Sequence, residues 1–379
     1  MGYRLQVTGY RLMAKYFLIA GEASGDLHAA ALIAQLKQQD PQAQCAGLGG
    51  DRMEAAGCRL YQHIRHMAFM GFAAVLANLG NIRRNFRIAE QALMDEHPDA
   101  LILIDYPSFN LRMASFCRKH LPGTKIYYYI PPKVWAWKRR RVHAIARLCD
   151  EVLGIFPFEP AFYAKYGYRC TYVGNPTAEE LSRVPRVPRN PRILAILPGS
   201  RPSEISYCLK KMLDAARRYP DYRIVVCAAP GIDDAFYAPY LREGETLTRD
   251  TYTAVQQASA AVVNSGTATL ETALLGCPQV AVYHLALSPL IALIRWAQPL
   301  VFSIPYFTLV NIIAGRQVIK ECVANEFRTE LVAAELGRLL HDETYRKEML
   351  ASYEHLSSLL GTHPAASTAA AIITSKPKA

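Results

Sequence analysis

The chain has 379 residues, is 51% hydrophobic and carries a formal net charge of +11 at pH 7. Such a length predicts two domains, the apolar content excludes a disordered chain, and the charge predicts an anionic partner: a nucleotide, a nucleic acid or a lipid surface. Its nine cysteines are scattered without a Cys-x-x-Cys pair, which argues against a disulfide scaffold or zinc ribbon and for buried thiols in a reducing cytosol.

Strands and helices are predicted to alternate from Met13 onward. Residues 1–12 form a polar extension without the features of a signal peptide, and we exclude them from the fold. Apolar runs predict strands at residues 16–20, 100–104, 125–130 and 151–155, then at 192–197, 223–228, 260–263 and 279–283. Helices are predicted at residues 26–39, 205–218, 330–340 and 343–360. This order indicates an α/β protein with doubly wound parallel sheets.

A segment rich in proline and arginine, residues 176–191, predicts a linker, because it cannot continue a helix or a central strand. It separates a first Rossmann-like domain (residues 13–175) from a second (residues 192–345), which a C-terminal helix and tail follow (residues 346–379). Ligands of open parallel sheets bind beyond the carboxyl ends of the strands. We therefore expect two sheets that face a cleft and deliver functional residues from those turns.

The turn after the first strand lacks the G-x-G-x-x-G spacing of dinucleotide-binding proteins. Its carboxylates, Glu22 and Asp26, repel phosphate and favour sugar hydroxyls or proton transfer, although a first-turn or N-cap role is preferred for Asp26. Asp105 ends a wholly apolar strand. Its carboxylate is thus predicted at the cleft in a partly apolar setting, as a general base requires, with helix capping as the alternative.

Two segments of the first half combine apolar or aromatic residues with basic ones. Residues 67–76 are apolar and lead into Arg83 and Arg84, a pattern typical of contact with an anionic membrane or of a buried helix with a basic end. Trp135 and Trp137 precede a basic run, which suits a membrane interface, a solvated helix or a nucleic acid. We disfavour nucleic acid, because aromatic RNA-binding signatures are absent and the cleft carboxylates would repel phosphates.

The turn formed by Ser265, Gly266 and Thr267 follows an apolar strand and opens a helix. The first N–H groups of a helix have no internal partner, so this turn is a predicted diphosphate site. Glu271, about one helical turn further on, is placed to accept from ribose hydroxyls. An ordinary strand-to-helix turn with Ser265 or Thr267 as N-cap is the alternative.

Two further turns of the second half carry polar groups. The segment with Gly199, Ser200 and Arg201 offers backbone donors and a guanidinium for a phosphate or a nucleobase carbonyl. Asn311 and Arg316 are predicted to reach a diphosphate or a sugar. Taken singly, each of these two segments is equally well explained without a ligand, because its glycine can serve the turn and its arginine can form a surface ion pair.

Residues 272–294 contain no Asp, Glu, Lys or Arg. A transmembrane helix is nevertheless rejected, because Pro278, Gln279, His284 and Pro289 interrupt the segment and part of it reads as a strand.

Several motifs occur in the order found in lipid-A-disaccharide synthases, and the chain resembles that family from Met13 to its C-terminal helix. They are residues 20–26, 70–72, 104–110, 134–137, 197–201, 265–271 and 311–316. The resemblance implies the GT-B fold, with C-terminal helices crossing back to the first domain. It implies an inverting glycosyltransferase that condenses UDP-2,3-diacylglucosamine with 2,3-diacylglucosamine 1-phosphate, gives a β-1,6 linkage and UDP, and needs no metal or cofactor.

The resemblance also implies residue roles and a location. Asp105 matches the proposed catalytic base and Glu22 the acidic position of the first turn. The positions implied for the UDP-sugar are Gly199, Ser200, Arg201, Ser265, Gly266, Thr267, Glu271, Asn311 and Arg316. Those expected at the first turn or acceptor are Ser24, Gly25 and Asp26, and those expected at the membrane or acyl chains are Met67, Phe69, Met70, Phe72, Arg83, Arg84, Trp135 and Trp137.

Lipid substrates imply peripheral contact with the cytoplasmic face of the inner membrane, and the terminal helices are a possible surface for homodimerisation. The chain departs from the family pattern at Ala74, Lys133 and Asn175, so the resemblance assigns no role to these residues. A UDP-sugar epimerase or glycosyltransferase that acts on a soluble sugar is the alternative, because its nucleotide site would look similar.

Overall fold

A computed structural model of the chain describes residues 13–67, 79–136, 139–284 and 306–375. The chain divides into two compact units, one built from Met1–Pro176 with His363–Ala379 and the other from Thr177–Thr362. Almost all of the predicted linker, residues 176–191, thus belongs to the second unit. Its first part is a helix, Pro176–Ser182, because proline is favourable in the first turn of a helix, where the missing N–H has no partner to lose.

The first unit contains a parallel sheet of seven strands in the order β3-β2-β1-β4-β5-β6-β7. The strands are β1 (Lys15–Ala20), β2 (Gln44–Gly49), β3 (Arg59–His63), β4 (Ala100–Ile104), β5 (Lys125–Tyr129), β6 (Glu151–Gly154) and β7 (Thr171–Tyr172). Ala20 pairs with Ile104, which pairs with Tyr129. The turns after β1, β4 and β5 therefore leave the same edge of the sheet.

Helices cover both faces of this sheet. They are α1 (Ala23–Gln39), α2 (Asp51–Ala55), α3 (Leu79–Glu96), α4 (Pro107–His120), α5 (Arg141–Leu148) and α6 (Glu159–Ala164). Alternate strand residues enter separate cores: Phe17 and Leu103 pack in one, and Leu18 and Ile102 in the other. Burial on both faces explains why these strands are continuous apolar runs.

The second unit contains a parallel sheet of six strands in the order β10-β9-β8-β11-β12-β13. The strands are β8 (Ile193–Leu197), β9 (Arg223–Cys227), β10 (Thr246–Thr248), β11 (Ala260–Asn264), β12 (Gln279–Tyr283) and β13 (Glu321–Val323). Val263 pairs with both Leu197 and Ala281. The turns after β8, β11 and β12 hence share one edge of this sheet.

The second unit has its own helices, and the last helix of the chain returns to the first unit. They are α7 (Pro176–Ser182), α8 (Pro202–Ala216), α9 (Thr251–Gln257), α10 (Thr267–Leu274), α11 (Leu309–Ala314), α12 (Thr329–His341), α13 (Glu343–Leu360) and α14 (Ala365–Ser375). Helix α13 packs against α10, α11 and α12, whereas α14 packs on α1. Of the C-terminal helices expected to cross back, α14 does so and α13 stays with the second unit.

The structure confirms the predicted pair of parallel Rossmann-like sheets and the eight predicted strands. Strands β2, β3, β7, β10 and β13 were not predicted, because they are short or, like Gln44–Gly49, interrupted by glycine. All nine cysteines are buried and free, as expected. Among the described residues, no helix is both long and apolar enough to span a bilayer.

Candidate active site

A cavity of about 650 Å³ lies at the carboxyl edge of the second sheet. It brings together most of the predicted nucleotide residues from the turns after β8 and β11. These are Gly199, Ser200, Arg201, Ser265, Gly266, Thr267 and Glu271. We call this cavity the donor pocket.

The turn after β8 requires glycine at position 199. Gly199 has φ +116°, and a Cβ there would lie 2.6 Å from Nδ2 of Asn264. The next residues are tied to the start of α8, because Ser200 N donates to Glu204 Oε2 at 3.1 Å and Arg201 Nη1 donates to Oε1 of the same residue at 3.1 Å. The Arg201 side chain remains more than half exposed, at 56%, and is therefore open to a ligand.

The turn after β11 presents the N-terminus of α10 to the donor pocket. Gly266 is the N-cap, and a Cβ there would meet no atom within 4 Å. Ser265 differs from the prediction in its backbone, since its N–H already donates to Val282 O at 2.7 Å. The anion-binding N–H groups of this helix therefore begin after Ser265, which contributes its hydroxyl to the pocket.

Glu271 projects from α10 into the donor pocket. Burial raises the pKa of this carboxyl group, and the nearby carboxylate of Glu180 raises it further. Tyr252, another residue of the pocket, donates its hydroxyl to Glu180 Oε1 at 3.1 Å. A carboxyl group in such a place is suited to hydrogen bonds with ligand hydroxyls.

Asn311 does not reach a ligand, contrary to the prediction. Its side chain is fully buried: Nδ2 donates to Ile319 O at 2.9 Å and to Glu321 Oε1 at 2.8 Å, and Oδ1 accepts from Val318 N at 2.7 Å. An amide with both ends occupied in the interior holds a turn together.

Arg316 also lies apart from the residues that line the donor pocket. Its guanidinium donates to Ser352 Oγ on α13 at 2.8 Å. Arg316 is exposed, and its predicted contact with a diphosphate stays a prediction.

Sequence reasoning missed several residues of the donor pocket. They include Glu204, Asp250, Tyr252, Asn264 and Tyr283. Asp250 and Tyr252 follow β10, whose three residues carry too weak a pattern to be predicted as a strand. The available signal was positional, since Asn264 directly follows one predicted strand and Tyr283 ends the next one in the same sheet.

Asp105 occupies a strained position at the carboxyl edge of the first sheet. Both Asp105 and Tyr106 have φ +45°, and Ile130 at the end of the neighbouring strand has φ +58°. Left-handed backbone at such residues costs about 1–3 kcal/mol each and persists only where the surroundings impose it.

Hydrogen bonds impose this conformation. Asp105 N donates to Ile130 O at 3.2 Å, while Asp105 O accepts from Asn110 Nδ2 and from the Tyr128 hydroxyl, each at 2.7 Å. The backbone of Asp105 is thereby fixed and its half-buried carboxylate is left at the edge of the sheet.

Burial raises the pKa of Asp105, and the positive charge of Lys133 opposes that rise. Lys133 is exposed. Partial desolvation lowers the pKa of its ammonium group, and the carboxylates of Asp105 and Glu159 oppose that shift. Lys133, a departure from the family pattern, is therefore an electrostatic partner of Asp105.

Glu159 also interacts with the charge of Lys133. It is 1% exposed and accepts from Ile155 N at 2.8 Å, Phe156 N at 2.9 Å and Trp135 Nε1 at 3.2 Å. Burial nevertheless raises its pKa to about 7, because three donors do not replace the hydration of a charged carboxylate.

Glu22 lies near Asp105, as the register of β1 with β4 requires. It is the exposed N-cap of α1. The ring of Tyr106 covers Gly21 so closely that a Cβ there would overlap it. Burial raises the pKa of Tyr106, and the Glu22 carboxylate raises it further. The first turn and the Asp105–Tyr106 segment therefore lie side by side at the edge of the first sheet.

The neighbouring residues of the first turn have different surroundings. Ser24 is exposed, whereas Gly25 is buried, and a Cβ on it would lie 3.4 Å from that of Ala20. Asp26 is 4% exposed and cannot contact an acceptor, because its Oδ1 accepts from Gly50 N at 2.7 Å and from Met53 N at 3.0 Å. It holds the turn before α2.

Two residues predicted at the membrane belong to the interior of the first unit. Met67 is 1% exposed and packs in the core, and its carbonyl accepts from the Tyr106 hydroxyl at 3.0 Å. Trp135 is 3% exposed and meets Phe156 and Phe158 edge to face. Burial of their apolar side chains explains both placements.

Arg83 and Arg84 are exposed on α3, as membrane contact would require. Phe69, Met70, Phe72 and Trp137 lie outside the described residues, as does Ala74. Asn175 is buried and donates to Ile155 O at 3.0 Å, so it supports the fold. In the described ranges, no three His, Cys, Asp or Glu side chains are grouped as metal ligands.

Comparison with known proteins links this geometry to a reaction. A family model described as lipid-A-disaccharide synthetase matches residues 16–373. The lipid-A-disaccharide synthase of Geobacter sulfurreducens is 35% identical over 385 residues, covering 97% of each chain. That of Trichlorobacter lovleyi is 37% identical over 364 residues, covering 92% of this chain and 93% of the relative.

A solved structure supports the fold independently. The UDP-GlcNAc 2-epimerase from Neisseria meningitidis, bound to UDP-GlcNAc, aligns with a TM-score of 0.63 at 10% identity, covering 96% of this chain and 100% of the epimerase chain. At that identity the likeness concerns the fold alone.

Proposed function

Since this chain belongs to the lipid-A-disaccharide synthase family, we propose that its second unit binds the UDP-sugar donor and that its first unit presents the acceptor to Asp105. The activity is glycosyl transfer from a UDP-sugar to a phosphorylated sugar, which forms the lipid A disaccharide and releases UDP. The substrates are UDP-2,3-diacylglucosamine and 2,3-diacylglucosamine 1-phosphate, and the new linkage is β-1,6 with inversion.

The donor pocket supplies what a nucleoside diphosphate needs. Its diphosphate would accept from the free N–H groups at the start of α10 and from Arg201, and its ribose would donate to Glu271. As the bond between the anomeric carbon and UDP breaks, negative charge develops on the diphosphate. Arg201 and the α10 N-terminus stabilise that charge.

On the acceptor side, the reaction needs a base. The 6-hydroxyl oxygen of the acceptor attacks the anomeric carbon, UDP departs with the electron pair of the broken bond, and the hydroxyl proton passes to Asp105. The main support for Asp105 as the base is that its backbone is held in a strained conformation and that burial raises its pKa. A carboxylate with a raised pKa accepts a proton more readily than a solvated one.

The test is UDP release from both diacylated substrates by the wild type, Asp105→Asn and Glu22→Gln. We expect Asp105→Asn to lower turnover about 10²- to 10⁴-fold while circular dichroism and the affinity for UDP stay unchanged, because the donor pocket belongs to the other unit. Near-normal turnover of Asp105→Asn with a large loss in Glu22→Gln would reassign the base. Equal activity on UDP-sugars without acyl chains would favour the soluble-sugar alternative.

Acylated substrates also require access to lipid. We infer peripheral binding at the cytoplasmic face of the inner membrane, supported by Arg83 and Arg84, which are exposed on α3. Each arginine near an anionic surface contributes about 1 kcal/mol to binding. Cosedimentation with anionic vesicles that is lost in high salt is the expected result, and equal binding to zwitterionic vesicles would contradict it. Homodimerisation stays a prediction, to be tested by sedimentation equilibrium.

A further inference from the structure

Glu321, the first residue of β13, is not among the residues that line the donor pocket, yet its carboxylate binds the turn that leads into α11. Phe307 N donates to both carboxylate oxygens, to Oε2 at 3.0 Å and to Oε1 at 3.2 Å. Oε1 accepts from Thr308 N at 2.9 Å, from Thr308 Oγ1 at 2.7 Å and from Asn311 Nδ2 at 2.8 Å. One side chain thus anchors two residues of this turn and one residue of α11.

Phe307 connects the turn held by Glu321 to the donor pocket. Its ring stacks on that of Tyr283, with centroids 6.4 Å apart and planes inclined by 26°. Its carbonyl oxygen accepts a long hydrogen bond of 3.5 Å from the Ser265 hydroxyl. Both Tyr283 and Ser265 line the pocket. The position of Phe307 therefore shapes the pocket next to the N-terminus of α10.

We propose that Glu321 is a positioning residue for the donor: it holds Phe307 so that Ser265 and Tyr283 keep the shape that UDP requires. This inference rests on the proposed function of the donor pocket. A carboxylate suits this role because both of its oxygens accept from Phe307 N, whereas an amide offers only one acceptor.

Glutamine at position 321 separates the two halves of this network. An amide keeps one oxygen, which can continue to accept from Thr308 and Asn311, but it turns an NH₂ group toward the N–H of Phe307. The NH₂ group and the N–H of Phe307 are both donors and repel each other, and Phe307 N keeps only its longer bond, of 3.2 Å, to the remaining oxygen. Glu321→Gln should therefore weaken the hold on Phe307 more than the hold on Thr308 and Asn311.

The experiment compares Glu321→Gln with Thr308→Val, the matched control. Thr308→Val removes the hydroxyl that donates to Glu321 and accepts from Asn311 N, but it leaves the bond to Phe307. We expect Glu321→Gln to raise the Kd of UDP and the KM of the donor about tenfold with kcat changed less than about threefold. Thr308→Val should lower the thermal unfolding temperature at least as much but leave the Kd of UDP unchanged.

Equal weakening of UDP binding in both variants would mean a merely structural role and would overturn the inference, as would wild-type affinity in Glu321→Gln. Glu271→Gln separates these results from a failure of the proposed function. If Glu271→Gln weakens UDP binding, the donor pocket is correctly assigned and the result for Glu321 stands by itself. If neither Glu271→Gln nor Glu321→Gln alters it, the assignment of the pocket fails and the role of Glu321 with it.

Discussion

Replacement of Glu159 by glutamine should remove a pH-dependent cost to the stability of the first unit. The pKa of this carboxyl group is about 7 in the folded protein, against an ordinary value of 4.5. Because the folded value is the higher one, the favourable contribution is complete below pH 4.5 and is lost as the pH rises through about 7. At about 1.4 kcal/mol per pKa unit, the whole loss is roughly 3 kcal/mol.

Urea unfolding, followed by tryptophan fluorescence, measures this loss. Between about pH 5 and pH 8, the stability of the wild type relative to Glu159→Gln should fall by roughly 2–3 kcal/mol. The altered contact with Trp135 adds the same difference in stability at every pH, so it does not affect the change of that difference with pH. Glu54→Gln, an exposed position on α2, controls for the loss of one charge. A difference between wild type and Glu159→Gln that does not change with pH would refute the reasoning.

Two further changes test the two halves of the candidate site. Lys133→Met removes the charge that opposes the rise in the pKa of Asp105, so the acidic limb of the kcat/KM profile should move to higher pH; an unmoved or lowered limb would contradict this coupling. Gly199→Ala places a Cβ 2.6 Å from Asn264 Nδ2 at a backbone φ of +116°. A shift of the turn that relieves this strain of about 1–3 kcal/mol should weaken UDP binding about fivefold or more in calorimetry, and unchanged affinity would show that the turn relaxes without harm.

Local patterns were sufficient for the architecture of this protein. Apolar runs spaced by helical segments specify parallel sheets, because a strand buried on both faces needs an unbroken apolar sequence. The same patterns located Asp105 and Gly199, since ligand-binding turns follow the ends of such strands. Strands with few residues, such as β10, were not predicted because so short a pattern cannot be distinguished from that of a loop.

The hydrogen-bond partners of each polar side chain could be identified only from the tertiary structure. Asn311, Asp26 and Trp135 have the chemistry of ligand-binding or interfacial residues, and each is instead buried. Asp26 and Trp135 bond to groups 24 positions away in the chain, and Asn311 bonds to the turn that follows its own helix. Nothing in the residues around Glu321 indicates that it holds Phe307 beside the donor pocket. The sequence by itself determined the two sheets and the turns that carry the chemistry. Only the tertiary structure decided which polar groups of those turns are already occupied, because hydrogen-bond partners and burial are set by contacts between distant parts of the chain.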